Sequence, residues 1–149
     1  MPYYAHFNVA RLRHAPDDPR VSEFTSNTVR VNAVAERSPG FIWRLSDEAA
    51  TISGSGGYQA VDGDPRLAIS LSVWRTLADF RFFVLKTVHG AFLRRREEWF
   101  EPWDGPNYVV WPVPEDSIPT KEEGWRRLEI LARQGPSDQA HGLDWDGAA

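Results

Sequence analysis

The chain has 149 residues and a mass of 17.0 kDa, with 42% hydrophobic and 26% charged residues, which fits one soluble globular domain with one sizeable core. A formal net charge of −4 and a pI near 5.5 argue against a general nucleic-acid binder, and no apolar run is long enough to span a bilayer. Cys is absent, which removes disulfides, thiolate metal sites and a Cys nucleophile; the opening MPYYAHFNVARLRH lacks a basic segment followed by an apolar run, so cytoplasm is the expected compartment.

From Tyr3 to Leu12, Phe7 and Val9 alternate with His6 and Asn8, the period of a strand. Asp18-Pro19 has the form of a helix start, with Asp as N-cap and Pro at the first helical position. Val21, Phe24, Thr28, Val31 and Ala35 then recur at helical spacing up to the stop at Ser38-Pro39-Gly40, so a single helix is expected. Residues 41–45, FIWRL, read as a second strand with Arg44 on one face. Residues 46–64 follow with SGSGG and DGDP, a polar loop that is long for a compact domain. In the third strand Leu67, Ile69, Leu71 and Val73 share one face, and Ala68, Ser70, Ser72 and Trp74 share the other. A long helix is expected from about Thr76 to about Arg96 or beyond. Leu77, Phe80, Val84, Val88 and Ala91 make one apolar stripe; Phe82, Leu85, His89 and Leu93 make a second, which predicts burial on two sides. EPWDGP breaks the chain at 101–106, and Tyr108-Val109-Val110-Trp111 gives a fourth strand. Thr120-Lys121-Glu122-Glu123 is a capping box opening a last helix through Trp125, Leu128 and Leu131, closed by Gly135-Pro136. Residues 137–149 offer little to pack and are expected to form a flexible tail on a domain spanning 1–136.

The order strand, helix, strand, strand, helix, strand, with an added C-terminal helix, is that of an α+β ferredoxin-like βαββαβ sheet, with the first and third strands as the central pair. Helices are expected on one face. The other face would be bare and apolar, and closing it against a second copy predicts a homodimer.

FNVARL, SPGFIWRL, DPRLAISLSVW and the block HGAFLRRREEWFEPWDGPNYVVWPVP resemble a group of small bacterial proteins known as the domain of unknown function 3291. That group is similar to the dimeric α/β-barrel superfamily. The superfamily holds cofactor-independent, quinone-forming monooxygenases, haem oxygenases and haem proteins, isomerases, and members that only bind small molecules. The resemblance therefore implies the fold but spans several chemistries. The glycine-rich stretch ISGSGGYQAVDGD departs from the family's usual length and is expected to reshape a pocket mouth.

Individual residues carry more than one reading. His89, mid-helix and followed by Arg94, Arg95 and Arg96, reads as a general acid/base, as an axial haem ligand, or as a hydrogen-bonded core histidine. His6, Asn8, Ser70, Ser72 and Trp74 would meet on the two central strands, with Arg44 on the second strand. Such a patch is either a ligand site or a satisfied dimer seam. Trp43, Trp99 and Trp103 are core fillers or walls for a planar ligand, and one of the three arginines, Arg95 being the choice, turns inward to hold an anion. No metal site is expected: His-x-x-x-His and Glu-x-x-His are missing, and Asp62 and Asp64 lack the rest of a calcium loop. Gly54-Ser55-Gly56-Gly57 does not join a strand to a helix, and there is no Gly-x-Ser-x-Gly elbow, which disfavours nucleotide and hydrolase chemistry.

The resulting expectation is an enzyme that needs no cofactor, an oxygenase or an isomerase/cyclase acting on a small aromatic or polyketide-like compound. His89 is its acid/base, Asn8 and Arg44 stabilise developing negative charge, and His6, Trp43, Ser72, Trp74, Arg95, Trp99 and Trp103 bind substrate. Haem on His89 is the first alternative, and a non-catalytic ligand-binding dimer the second. Neither nucleic acid nor membrane is an expected partner.

Overall fold

The structure, a computed structural model, describes residues 2–45, 60–61 and 63–145, with the side chains of Ala60, Val88, His89 and Phe92 outside the description. β1 (Tyr3–Arg11) and β4 (Asp64–Trp74) pair antiparallel at the centre of the sheet. β2 (Phe41–Arg44) adds to the far side of β4, and β5 (Tyr108–Val113) to the far side of β1. The order β2-β4-β1-β5 is the expected ferredoxin-like sheet with the expected central pair. Most of the expected loop 46–64, with its SGSGG run, lies outside the described residues. Its end is a hairpin rather than a loop: β3 (Ala60–Val61) pairs with β4, which begins at Asp64 instead of Leu67.

Period-2 alternation gives each central strand two unlike faces. Ala5, Phe7 and Val9 from β1 join Ile69, Leu71 and Val73 from β4, and Val109, Trp111 and Val113 from β5, in one buried cluster. This face is not bare. α5 (Lys121–Gln134) lies across it: Leu128 is buried in the cluster, and the Trp125 ring meets Phe7 edge-on at 5.2 Å. Close approach requires Gly124, where an added Cβ would sit 2.6 Å from the Phe7 ring. The expectation of a bare face is thus corrected: the chain covers with α5 the face from which the homodimer was argued. The helix starts as the capping box predicts, with Glu123 N–H donating to Thr120 Oγ1 at 3.1 Å.

The opposite face carries the remaining helices, and both expected long helices are broken. After a 3-10 turn at Pro19–Val21, capped by Asp18 as expected, the first runs as α1 (Ser22–Ser26) and α2 (Thr28–Arg37). At the joint, Asn27 Nδ2 donates to Glu23 O at 2.7 Å and Thr28 Oγ1 to Thr25 O at 2.8 Å. Short polar side chains here compete for the helix's own carbonyls. The second runs as α3 (Leu77–Lys86) and α4 (Val88–Arg94), parted at Thr87, which takes an extended backbone while its hydroxyl donates to Phe83 O at 2.6 Å. Gly90 lets the new helix abut the old one: a Cβ there would lie 2.9 Å from Leu85 O. Of its second stripe, Phe82 and Leu85 stand 50% and 47% exposed, while Leu93 packs against the buried aromatic cluster.

Residues 137–145 have partners that the sequence reading did not foresee. His141 exchanges two backbone hydrogen bonds with Val110 (2.7 and 2.9 Å), Leu143 N–H donates to the Tyr108 hydroxyl at 3.1 Å, and Arg81 donates to Leu143 O. Ala140 and His141 are buried.

Candidate functional site

Register places the polar residues of the second face in transverse rows. Arg44 of β2 lies opposite Ser72 of β4, which lies opposite His6 of β1; one step along, Ser70 lies opposite Asn8. Arg44 reaches this face only through an irregularity in β2. Phe41 pairs with Trp74 and Trp43 with Val73, so Ile42 is one extra residue, and the bulge turns Arg44 to the side of Ser72.

A cavity of about 220 Å³ lies above these rows. Its floor is His6, Asn8 and Ala10 with Ala68, Ser70, Ser72 and Trp74; its roof comes from Thr28, Val31, Asn32 and Ala35 of α2 and from Phe80, Phe83 and Leu93 of α3 and α4. The two ends differ. Trp74, Phe80 and Phe83 close one end as part of a buried aromatic cluster, with Trp74 and Phe83 stacked at 5.1 Å. Trp99, Phe24 and Phe100 close the other, beside Arg96 and Asn107. Polar groups between apolar walls are costly unless they pair, and here they pair in part. Trp74 Nε1–H donates to Ser72 Oγ at 2.9 Å, and the Ser70 hydroxyl donates to Asn8 Oδ1. The His6 ring packs on Phe80 at 4.4 Å and lies 6.0 Å from Tyr108.

His6, Asn8, Arg44, Ser72, Trp74 and Trp99 are therefore brought together around one cavity. Three expected members are elsewhere. Trp43 packs against the α5-side cluster, because the same bulge that brings Arg44 to the cavity sends Trp43 to the other face. Trp103 packs there too, since the chain crosses the end of the sheet after Trp99. Arg95 points to the surface, clamped by Glu23 (2.6 and 2.7 Å) and Glu98 (2.7 Å), with its guanidinium 4.9 Å from the Trp99 ring centre. Those hydrogen bonds raise Arg95 and hold both carboxyls below the usual carboxylate range. Its neighbour Arg96 is the one that lines the cavity, as expected of successive residues that leave a helix end in different directions. His89 sits on α4 one turn before the cavity-lining Leu93, and its side chain is outside the description. The sequence reading did not anticipate Phe24, Thr28 and Asn32. Their signal was the polar break at 25–28 inside an otherwise apolar helical stripe.

Among the described residues no group of three or more His, Cys, Asp or Glu could hold a metal ion, and no helix is long and apolar enough to cross a membrane.

Solved structures share the fold. SnoaB of Streptomyces nogalater, a cofactor-independent oxygenase, matches with a TM-score of 0.54 at 14% identity over 80% of this chain and 100% of its own. NE2512 of Nitrosomonas europaea, a protein of unknown function, matches with 0.52 at 11% identity over 80% and 97%. PA3566 of Pseudomonas aeruginosa matches with 0.50 at 13% identity over 78% and 97%. At such identities the likeness is one of fold. No curated protein matches the chain by sequence. Sequence places it all the same: the profile described as Domain of unknown function (DUF3291) matches residues 3–146, almost end to end, and the chain belongs to that family.

Proposed function

We propose that the chain is an enzyme acting on a small aromatic or polyketide-like compound without a bound cofactor, as an oxygenase or an isomerase/cyclase. The observation that carries this is the set of hydrogen-bonding rows, Arg44–Ser72–His6 and Ser70–Asn8, on the floor of a cavity with aromatic ends. A flat ligand lying over the sheet would have Trp74 and Phe80 against one end and polar groups beneath its oxygens. Because Ser70 donates to the carboxamide oxygen of Asn8, the Asn8 amide nitrogen is left to donate to an oxyanion. Arg44 adds positive charge in the neighbouring row. His6 is the imidazole on the cavity floor and removes the hydroxyl proton of the ligand; His89 is the second candidate acid/base. In the oxygenase form the resulting anion gives electrons to O2. The reacting ring carbon ends as a quinone carbonyl, and the second oxygen atom leaves as water. The likeness in fold to SnoaB, itself a cofactor-independent oxygenase, supports this form.

The test is O2 uptake and product formation with polycyclic phenols, with no cofactor added. Turnover is expected with one O2 per quinone. His6→Ala or His89→Ala, whichever removes the base, is expected to lower kcat about a hundredfold or more; Asn8→Ala is expected to lower it about a hundredfold. Tight binding of such phenols with neither O2 uptake nor rearrangement would reduce the chain to a ligand-binding module.

A further inference from the structure

Arg44 differs from the other paired arginines. Among the described residues the other ion pairs have contacts between 2.5 and 3.1 Å, whereas Arg44 Nε stands 3.5 Å from Glu36 Oε2. That is long for a charge-assisted hydrogen bond. Among the described residues Nε, which is buried, has no hydrogen-bond acceptor, and Nη1 reaches only the Leu45 carbonyl at 3.2 Å. Glu36, near the end of α2, is 48% exposed, while the Arg44 side chain is 22% exposed on the cavity wall. Directly across the strand pair, Ser72 Oγ accepts from Trp74 Nε1–H, and that bond leaves the hydroxyl proton of Ser72 free to donate. Two donors in adjacent register, one cationic and short of an acceptor, thus face the same cavity.

We infer that Arg44 and Ser72 form the seat for a permanently ionised carboxylate on the ligand, which displaces Glu36 from Arg44 on binding. The inference rests on the cavity being the ligand site and narrows the ligand to a planar aromatic acid. A carboxylate suits the place because a guanidinium edge with one neighbouring hydroxyl matches two acceptor oxygens in a plane. The charge that develops during reaction is then left to Asn8, and the carboxylate fixes which edge of the ring faces His6. Glu36 acts as a stand-in anion, weak because it is exposed and distant, so the empty site keeps its arginine compensated.

The experiment is binding of naphthoate and of its neutral isostere naphthamide, read by quenching of the cavity tryptophans and by calorimetry. The intact protein is expected to prefer naphthoate. Glu36→Gln removes the competing anion from an exposed position and is expected to tighten naphthoate about fivefold while leaving naphthamide unchanged. Arg44→Met is expected to abolish the preference, with naphthamide binding retained as the sign of an intact cavity. Equal affinity for the two ligands in all three proteins would overturn the carboxylate seat and leave the cavity reading standing. Failure of both ligands to bind the folded protein would overturn the cavity reading and the seat with it.

Discussion

At the scale of single residues, Arg11 and Asp64 show what a well-made ion pair does here. Arg11 Nη1 and Nη2 donate to the two carboxylate oxygens of Asp64 at 3.2 and 3.0 Å, tying the end of β1 to the start of β4. The hydrogen bonds from Arg11 hold the Asp64 carboxyl below its ordinary value of 3.8. A lowered pKa means that the contribution to stability is complete above 3.8 and is lost as pH falls below it, through the folded value. Asp64→Asn is therefore expected to lower the urea midpoint at neutral pH, with the gap to the parent closing below 3.8; a gap independent of pH would remove this role. The residues of the candidate site differ in how far they could be read from sequence. His6, Asn8, Ser72 and Trp74 were legible because strict alternation in two central strands fixes both face and neighbours. Trp43 and Arg44 were legible as residues and not as faces, since the extra Ile42 swaps sides and leaves no mark in composition. Arg95 and Arg96 were separable only once the helix end had a direction.

At the scale of elements, strand order and the capping signals came through, and helix continuity did not. Apolar residues recur at helical spacing on both sides of Asn27 and of Thr87, but side-chain hydrogen bonds to the preceding carbonyls compete with the helix at these two points. The breaks matter for the site, because α2 and α4 each supply roof residues from a different angle than one straight helix would. α5 is the element whose role was most misjudged. A capped helix after the last strand was plain in sequence, but its docking on the far face depends on Gly124 meeting Phe7, a pair more than a hundred residues apart. Gly124→Ala places a methyl group 2.6 Å from the ring and is expected to destabilise the fold by about 1–3 kcal/mol. Denaturant midpoints measure the loss, with a change in Trp125 fluorescence as the local sign; an unchanged midpoint would mean that α5 contributes little to the fold.

At the scale of the whole molecule, the sheet sits between two unlike layers, a dry one under α5 and a cavity-bearing one under α2, α3 and α4. Since Phe7, Val9, Leu71 and Trp111 are already buried in one chain, sheet-to-sheet pairing of two copies would require α5 to leave. Light scattering of the intact chain is expected to return 17.0 kDa; twice that mass with α5 docked would place the contact elsewhere, with the exposed Phe82 and Leu85 as the first place to look. The final segment also guards the protein against itself. Without the two bonds exchanged with His141, Val110 of β5 would present an unpaired N–H and C=O on the outer edge of the sheet, a template on which other molecules can add strands. A chain ending at Gln134 would keep every cavity residue and yet be expected to aggregate, with the intact chain staying dispersed at the same concentration.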